Sequence, residues 1–371
     1  MRDDSASYFD SQEFIEILDM YENMLSDGSS VYFDSMDIAN IAEYYSMNGQ
    51  LDKSDSAIEY GLQLHPSDSD ILISKANNLL RRGLKDEARV LTESITDPDN
   101  QELLYLKGEI ELAFDRPQEA DAYFTHAVQL SDNDPGMLND IIVKYMDNRN
   151  YELCQKWLDM ALLLSPDSRN FIELQADLFF DTDQADTAIE WYNHLLDEFA
   201  YDTYYWEQLG RIYYEKNDFA QARECFEFIE AIDPDNKSAR MMKASCIFNM
   251  ESWDEAFRIY KELLEDDKTS YTLLYYCGRC QYEMMQYDMA YDYFMDALAM
   301  LMLDPDVPQE MYVELYYYLA ESSHKTGKSQ QAQSFLHQGL ALDPNDEDLQ
   351  KLAQHILPDQ ETDLLTDNNL Q

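Results

Sequence analysis

The side chains best suited to chemistry are few and poorly arranged for it. Cys277-Gly278-Arg279-Cys280 has the spacing of a redox dithiol or of half a zinc site. No second CxxC and no nearby histidine completes a ligand set, and Cys277 precedes a small residue in a helical apolar pattern, so the pair reads as core. The 6 histidines (His65, His126, His194, His324, His337 and His355) are scattered and form no HExxH. His324 and His337 could be neighbours across one turn, but neither has a carboxylate to orient it. There is no GxSxG and no kinase signature. No two of the 10 glycines lie closer than 12 residues apart, which excludes loops that cradle phosphate through closely spaced glycines. The reading is of a non-enzyme with no cofactor and no metal.

Carboxylates are too abundant for any pair to stand out as an acid–base dyad, and a solvated acidic surface is the simpler account. There are 75 Asp and Glu against 26 Lys and Arg, a formal charge of −49, which would repel a nucleic-acid backbone over most of the surface. Anionic membrane surfaces are disfavoured for the same reason. The longest apolar run, Ala297–Leu303, is far short of the ~20 residues needed to span a bilayer. Met1-Arg2-Asp3-Asp4 carries no apolar secretory region, and an odd number of cysteines, 5, suits a reducing compartment. A cytoplasmic protein is expected. With 45% hydrophobic residues the chain has enough apolar material for a continuous core.

The elements carrying these residues repeat. Small residues recur in pairs 12 apart: Ala42/Ser54, Ala76/Ala88, Gly108/Ala120, Ile142/Cys154, Ala176/Ala188, Gly210/Ala222, Ala244/Ala256, Gly278/Ala290 and Ala320/Ala332. From Gly108 to Gly278 the step between pairs is 34 residues five times in succession. Between the pairs the apolar spacing is helical. Within 203–236, Trp206, Leu209, Gly210 and Tyr213 form one stripe and Phe219, Ala222, Phe226, Ile229 and Ile232 a second, interrupted by Lys216-Asn217-Asp218. Pro234 then ends the second helix, as Pro66, Pro166 and Pro344 do at equivalent places. Two helices that cross at small side chains explain the pairs.

Trp206-x-x-Leu209-Gly210-x-x-Tyr213, Ala222-x-x-x-Phe226 and Pro234 together resemble the tetratricopeptide repeat. The resemblance covers 35–346 and implies an all-α fold: a right-handed superhelical solenoid of about nine helix-turn-helix repeats with flanking capping helices. The expected units are 35–68, 69–100, 101–134, 135–168, 169–202, 203–236, 237–270, 271–312 with an insertion, and 313–346. An N-terminal helix and linker occupy 1–34, with Asp10 opening a helix to about Leu25. A capping helix occupies 347–357, and 358–371 is expected to be a disordered tail. Three departures stand out: the unit 69–100 is two residues short, Ile142 and Cys154 replace the small pair, and extra residues around Pro305–Pro308 separate the last two units.

In the family the first helix of each unit lines a concave groove through positions 2, 5, 9, 12 and 13. Transferred here, these include Glu109, Asp147, Glu173, Asp177, Phe180 and Asp181 in the middle units, and Tyr204, Glu207, Arg211, Tyr214, Tyr275, Arg279, Tyr282 and Tyr317 in the later ones. The middle of the groove is predicted acidic, since 169–202 has one arginine against nine carboxylates, and the C-terminal part aromatic with two arginines. The resemblance implies a protein-interaction scaffold that binds an extended or helical, basic segment of a partner protein. An alternative is a peptide-sensing regulator whose superhelix changes pitch. A chaperone-tail carboxylate clamp is disfavoured, because Glu102 and Leu106 stand where basic groups are required, although Asn77 occupies one suitable site.

Overall fold

The computed structural model describes residues 8–304 and 307–357. The proposed tail 358–371 and two residues of the insertion, Pro305 and Asp306, lie outside the described residues. Those residues contain 20 helices and no strand, so the chain is all-α. No helix among them is long and apolar enough to cross a membrane. The chain divides into two compact units, Met1–Trp191 and Tyr192–Gln371.

The first unit opens with α1 (Gln12–Asp27), capped by Ser11, which accepts from the Phe14 amide, and stopped by Gly28 in the left-handed region. The expected cap was Asp10; the hydroxyl one residue later takes that role, and the helix runs two residues beyond Leu25. Hairpins follow: α2 (Ser35–Met47) with α3 (Leu51–Leu64), α4 (Ser69–Arg81) with α5 (Lys85–Ser94), α6 (Gln101–Ala113) with α7 (Pro117–Leu130), and α8 (Pro135–Asp147) with α9 (Tyr151–Leu164). Next come α10 (Arg169–Asp181) and α11 (Ala185–Glu198), within which the unit boundary falls. The two helices of each hairpin from α2 to α9 pack, and so do the first helices of successive hairpins, α2 with α4 and α4 with α6. The missing two residues of 69–100 show as a shorter second helix, with 10 residues in α5 against 14 in α3.

The second unit continues with α12 (Thr203–Glu215) and α13 (Phe219–Ile232), α14 (Lys237–Asn249) and α15 (Trp253–Asp266), and α16 (Tyr271–Glu283) and α17 (Tyr287–Leu301). It ends with α18 (Gln309–Lys325), α19 (Ser329–Leu342) and α20 (Glu347–Ile356). The insertion adds a turn at the start of α18, which has 17 residues where the first helices before it have 13. Asp346 caps α20, whose Leu349, Leu352, Ala353 and Ile356 are buried against α18 and α19.

The recurring pairs meet as the spacing requires. Every member is buried, and in two hairpins the contact is a hydrogen bond across the crossing: Ser54 Oγ donates to the Ala42 carbonyl at 2.6 Å, and Cys154 Sγ to the Ile142 carbonyl at 3.7 Å. A third residue completes the crossing. A Cβ at Gly278 would lie 2.6 Å from the Phe294 ring, and one at Gly210 2.8 Å from Phe226; Gly108 faces Phe124 in the same way. The glycine is a notch for an aromatic ring sixteen residues on. Where Ile142 fills the notch, Leu158 replaces the ring, and both sit in one cluster with Cys154 and Trp157. In these hairpins the residue at the crossing and the one sixteen on are fitted to each other, as close packing demands.

Candidate functional site

The first-helix face of the first unit is a row of carboxylates. Glu43 on α2, Asp70 on α4 and Glu102 on α6 stand on successive first helices, and each carboxyl is held above the ordinary carboxylate range. The crowding of surrounding protein is the main cause for all three, and Glu102 is raised further by Asp70 and Glu43. Arg81 offsets part of the effect at Glu43. Beyond this row Glu109 pairs with Lys144 of α8 at 2.7 Å, and its charge, with that of Asp140, adds to the burial that pushes the Tyr105 phenol up. Asp147 and Asp181 are exposed at the ends of α8 and α10, while Glu173, Asp177 and Phe180 are half-buried on α10.

The second unit carries different chemistry at the same helix positions. On α12, Glu207 and Arg211 are exposed and Tyr204 is 37% exposed, its ring edge-on to Tyr205. Arg211 donates to Gln208 at 3.2 Å, and the Tyr214 hydroxyl accepts from Asn249 at 3.0 Å. On α16 and α18, Arg279 is the centre of a cluster. Its guanidinium lies 4.6 Å from the Tyr318 ring, 5.3 Å from Phe248 and 5.8 Å from Tyr275. It donates to the Tyr275 hydroxyl at 2.9 Å and reaches Glu314 at 3.6 Å and Glu283 at 3.7 Å. The Tyr275 hydroxyl in turn donates to Glu314. Tyr282 packs edge-on to Tyr318, and Tyr317 does so on its other side. Burial and the Glu321 carboxylate push both the Tyr282 and the Tyr317 phenol up.

Tyr275 differs from its expected role. At 6% exposure it is the floor of this cluster, sealed by Arg279, Glu314 and Phe294, and offers a partner no free ring. The structure brings Tyr275, Arg279, Tyr282 and Tyr317 together through Tyr318; Tyr204 and Tyr214 belong to a separate group on α12.

Sequence comparison adds one match. Residues 181–263 match the family described as anaphase-promoting complex, cyclosome, subunit 3. No curated protein matches the chain in sequence. Among solved structures, the C-terminal part of a repeat-containing protein from Cytophaga hutchinsonii superposes with a TM-score of 0.54 at 17% identity, covering 67% of this chain and 98% of that one. The fold is that of a tetratricopeptide-repeat protein. A tetratricopeptide-repeat protein from Parabacteroides merdae is also similar, with a TM-score of 0.48, 16% identity and coverage of 70% and 99%. The Cut9-Hcn1 hetero-tetramer of APC/C gives a TM-score of 0.46 at 16% identity, over 88% of this chain and 64% of that one.

Two features of this tetratricopeptide-repeat fold bear on chemistry. Cys277 and Cys280 are fully buried, and burial pushes both thiols up to about 12, so neither is a thiolate at neutral pH. What the two faces can do is bind: the first through charge, the second through aromatic surface organised around one guanidinium. The sequence pattern singled out Glu109, Asp147, Glu173, Asp177, Phe180 and Asp181 in the first unit but not Glu43, Asp70 or Glu102 as groove residues. The signal was present, since Asp70 and Glu102 occupy position 2 and Glu43 position 9 of their units. Asp140 stands one residue off that stripe and had no such signal.

Proposed function

We propose that this protein is a non-catalytic interaction scaffold whose first-helix faces bind an extended or helical, basic segment of a partner protein. The observation that carries the reading is the row Glu43, Asp70 and Glu102, carboxylates on three successive first helices, the third close enough to the other two to be raised by their charge. A row of this kind sets like charges on neighbouring helices, and a cationic segment laid along it would relieve their repulsion. The family matched over 181–263 is described as a subunit of a complex, which agrees with a role in assembly. Five unbridged, buried cysteines suit a reducing, cytoplasmic setting.

The test is calorimetric titration of the full chain with an acetylated peptide of alternating lysine and alanine, beside the same peptide with every lysine acetylated. The charged peptide is expected to bind, with affinity falling about tenfold between roughly 50 and 200 mM salt. Below neutral pH its binding is expected to release protons, because it lowers the raised carboxylate pKa values. Equal binding of the neutral peptide, or no salt dependence, would overturn the reading.

A further inference from the structure

At the end of the second unit, the start of α18 and the turn into α20 enclose an open cavity of about 480 Å³. Tyr317 and Tyr318 form its aromatic corner, their rings 5.1 Å apart and nearly perpendicular at 87°. The carboxylates of Glu310, Glu314, Asp343 and Asp348 also line it. The protein already shows what this combination holds. Arg279 seats its guanidinium on the Tyr318 ring at 4.6 Å and against Glu314 at 3.6 Å, so one ring and one carboxylate of the cavity wall are in use as a guanidinium site. Beyond the Glu314 that Arg279 engages, part of the cavity's carboxylate lining is left without a cation. Lys351 reaches Asp348 at 3.1 Å, and among the described residues no cation pairs with Glu310 or Asp343.

We propose that this cavity anchors one arginine side chain of the partner's basic segment. The proposal rests on the function inferred above and adds where the segment is held and by which residue type. Arginine fits better than lysine on two counts: its planar group stacks on an aromatic face, here that of Tyr317 because Arg279 and Phe294 already cover Tyr318, and its forked donors pair with carboxylates on two sides. A lysine ammonium would gain the charge attraction alone.

The experiment must read position, because a chain of net charge −49 attracts any cation. The probe is an acetylated Ser-Gly-Arg-Gly-Ser peptide extended by the photoreactive residue benzoylphenylalanine, irradiated with the full chain and mapped by mass spectrometry. Cross-links are expected to concentrate on 309–318. The isosteric citrulline peptide and the lysine peptide should each label that segment at least about fivefold less, as should the arginine peptide on a Glu310→Gln/Asp348→Asn variant. A variant with equal charge loss at exposed positions of α5 in the first unit, Glu87→Gln/Glu93→Gln, should label 309–318 as the wild type does. Labelling scattered over the chain, equal labelling by citrulline or lysine, or an unaffected Glu310→Gln/Asp348→Asn variant overturns the anchor. If the lysine–alanine peptide binds while 309–318 stays unlabelled, the anchor alone falls; if neither binds, the scaffold reading falls with it.

Discussion

The two units place opposite solutions on the same helix positions. In the first, Glu43, Asp70 and Glu102 stand on successive first helices and the first two raise the third, with Arg81 offsetting part of the effect at Glu43 and a hydrogen bond from Asn100 part of that at Asp70. In the second, Arg279 is ringed by Phe248, Tyr275 and Tyr318 and held by Glu283 and Glu314. The difference shows that the repeat leaves its first-helix face free to vary while the hairpin crossing is constrained. It also separates two energetic roles, because the charge around Arg279 is satisfied internally and supports the fold, whereas the charge of the Glu43, Asp70 and Glu102 row works against it.

That contrast predicts effects of opposite sign. Arg279→Ala strips the partner from two carboxylates and a buried phenol, and should destabilise the second unit by about 2 kcal/mol in chemical denaturation. Arg279→Lys should recover only part, since an ammonium cannot stack as the guanidinium does. A neutral Arg279→Ala would erase the distinction between the units.

Glu102→Gln should instead stabilise the first unit, by less than about 1 kcal/mol because solvent screens an exposed carboxylate. The pH dependence has a definite sign. A carboxyl whose folded pKa is raised binds more protons folded than unfolded, so stability rises as pH falls through the window from the folded pKa to the ordinary one, and is lost as pH rises through it. Mild acidification from neutrality should therefore raise the denaturation midpoint of wild type more than that of Glu102→Gln. Equal pH slopes would show that the row carries no strain of charge. The smallest effect is expected from Lys144→Ala, which removes a 2.7 Å ion pair with Glu109 whose lysine is 42% exposed. A loss of about 0.5 kcal/mol is expected, read by the same denaturation and abolished in high salt.

The crossing geometry was legible in sequence because the nine pairs occur at a spacing that only two packed helices explain. Ser54 and Cys154 show how literal that spacing is, each donating to the carbonyl twelve residues earlier. The ring that fits each glycine notch was equally present in the sequence, but a search for small residues cannot see the large one that compensates. Side-chain exposure on the first-helix faces was not legible. Tyr275 and Tyr282 occupy the same stripe of one helix, yet the former is buried because α18 lies over it and the latter is only half-covered. Position along a helix fixes direction, and the neighbouring hairpin decides what remains open. The choice of Ser11 over Asp10 as a cap turned on one residue of register, which either side chain could satisfy.

The glycine-and-ring lock joins residues sixteen apart, so the tightest fit in these hairpins is made between segments that are near neighbours along the chain. Closing so short a loop takes little entropy, and contacts of this range form early in folding. A hairpin can therefore assemble from its own residues before its neighbours arrive to cover it, which is the condition for a long chain to fold in steps as it leaves the ribosome.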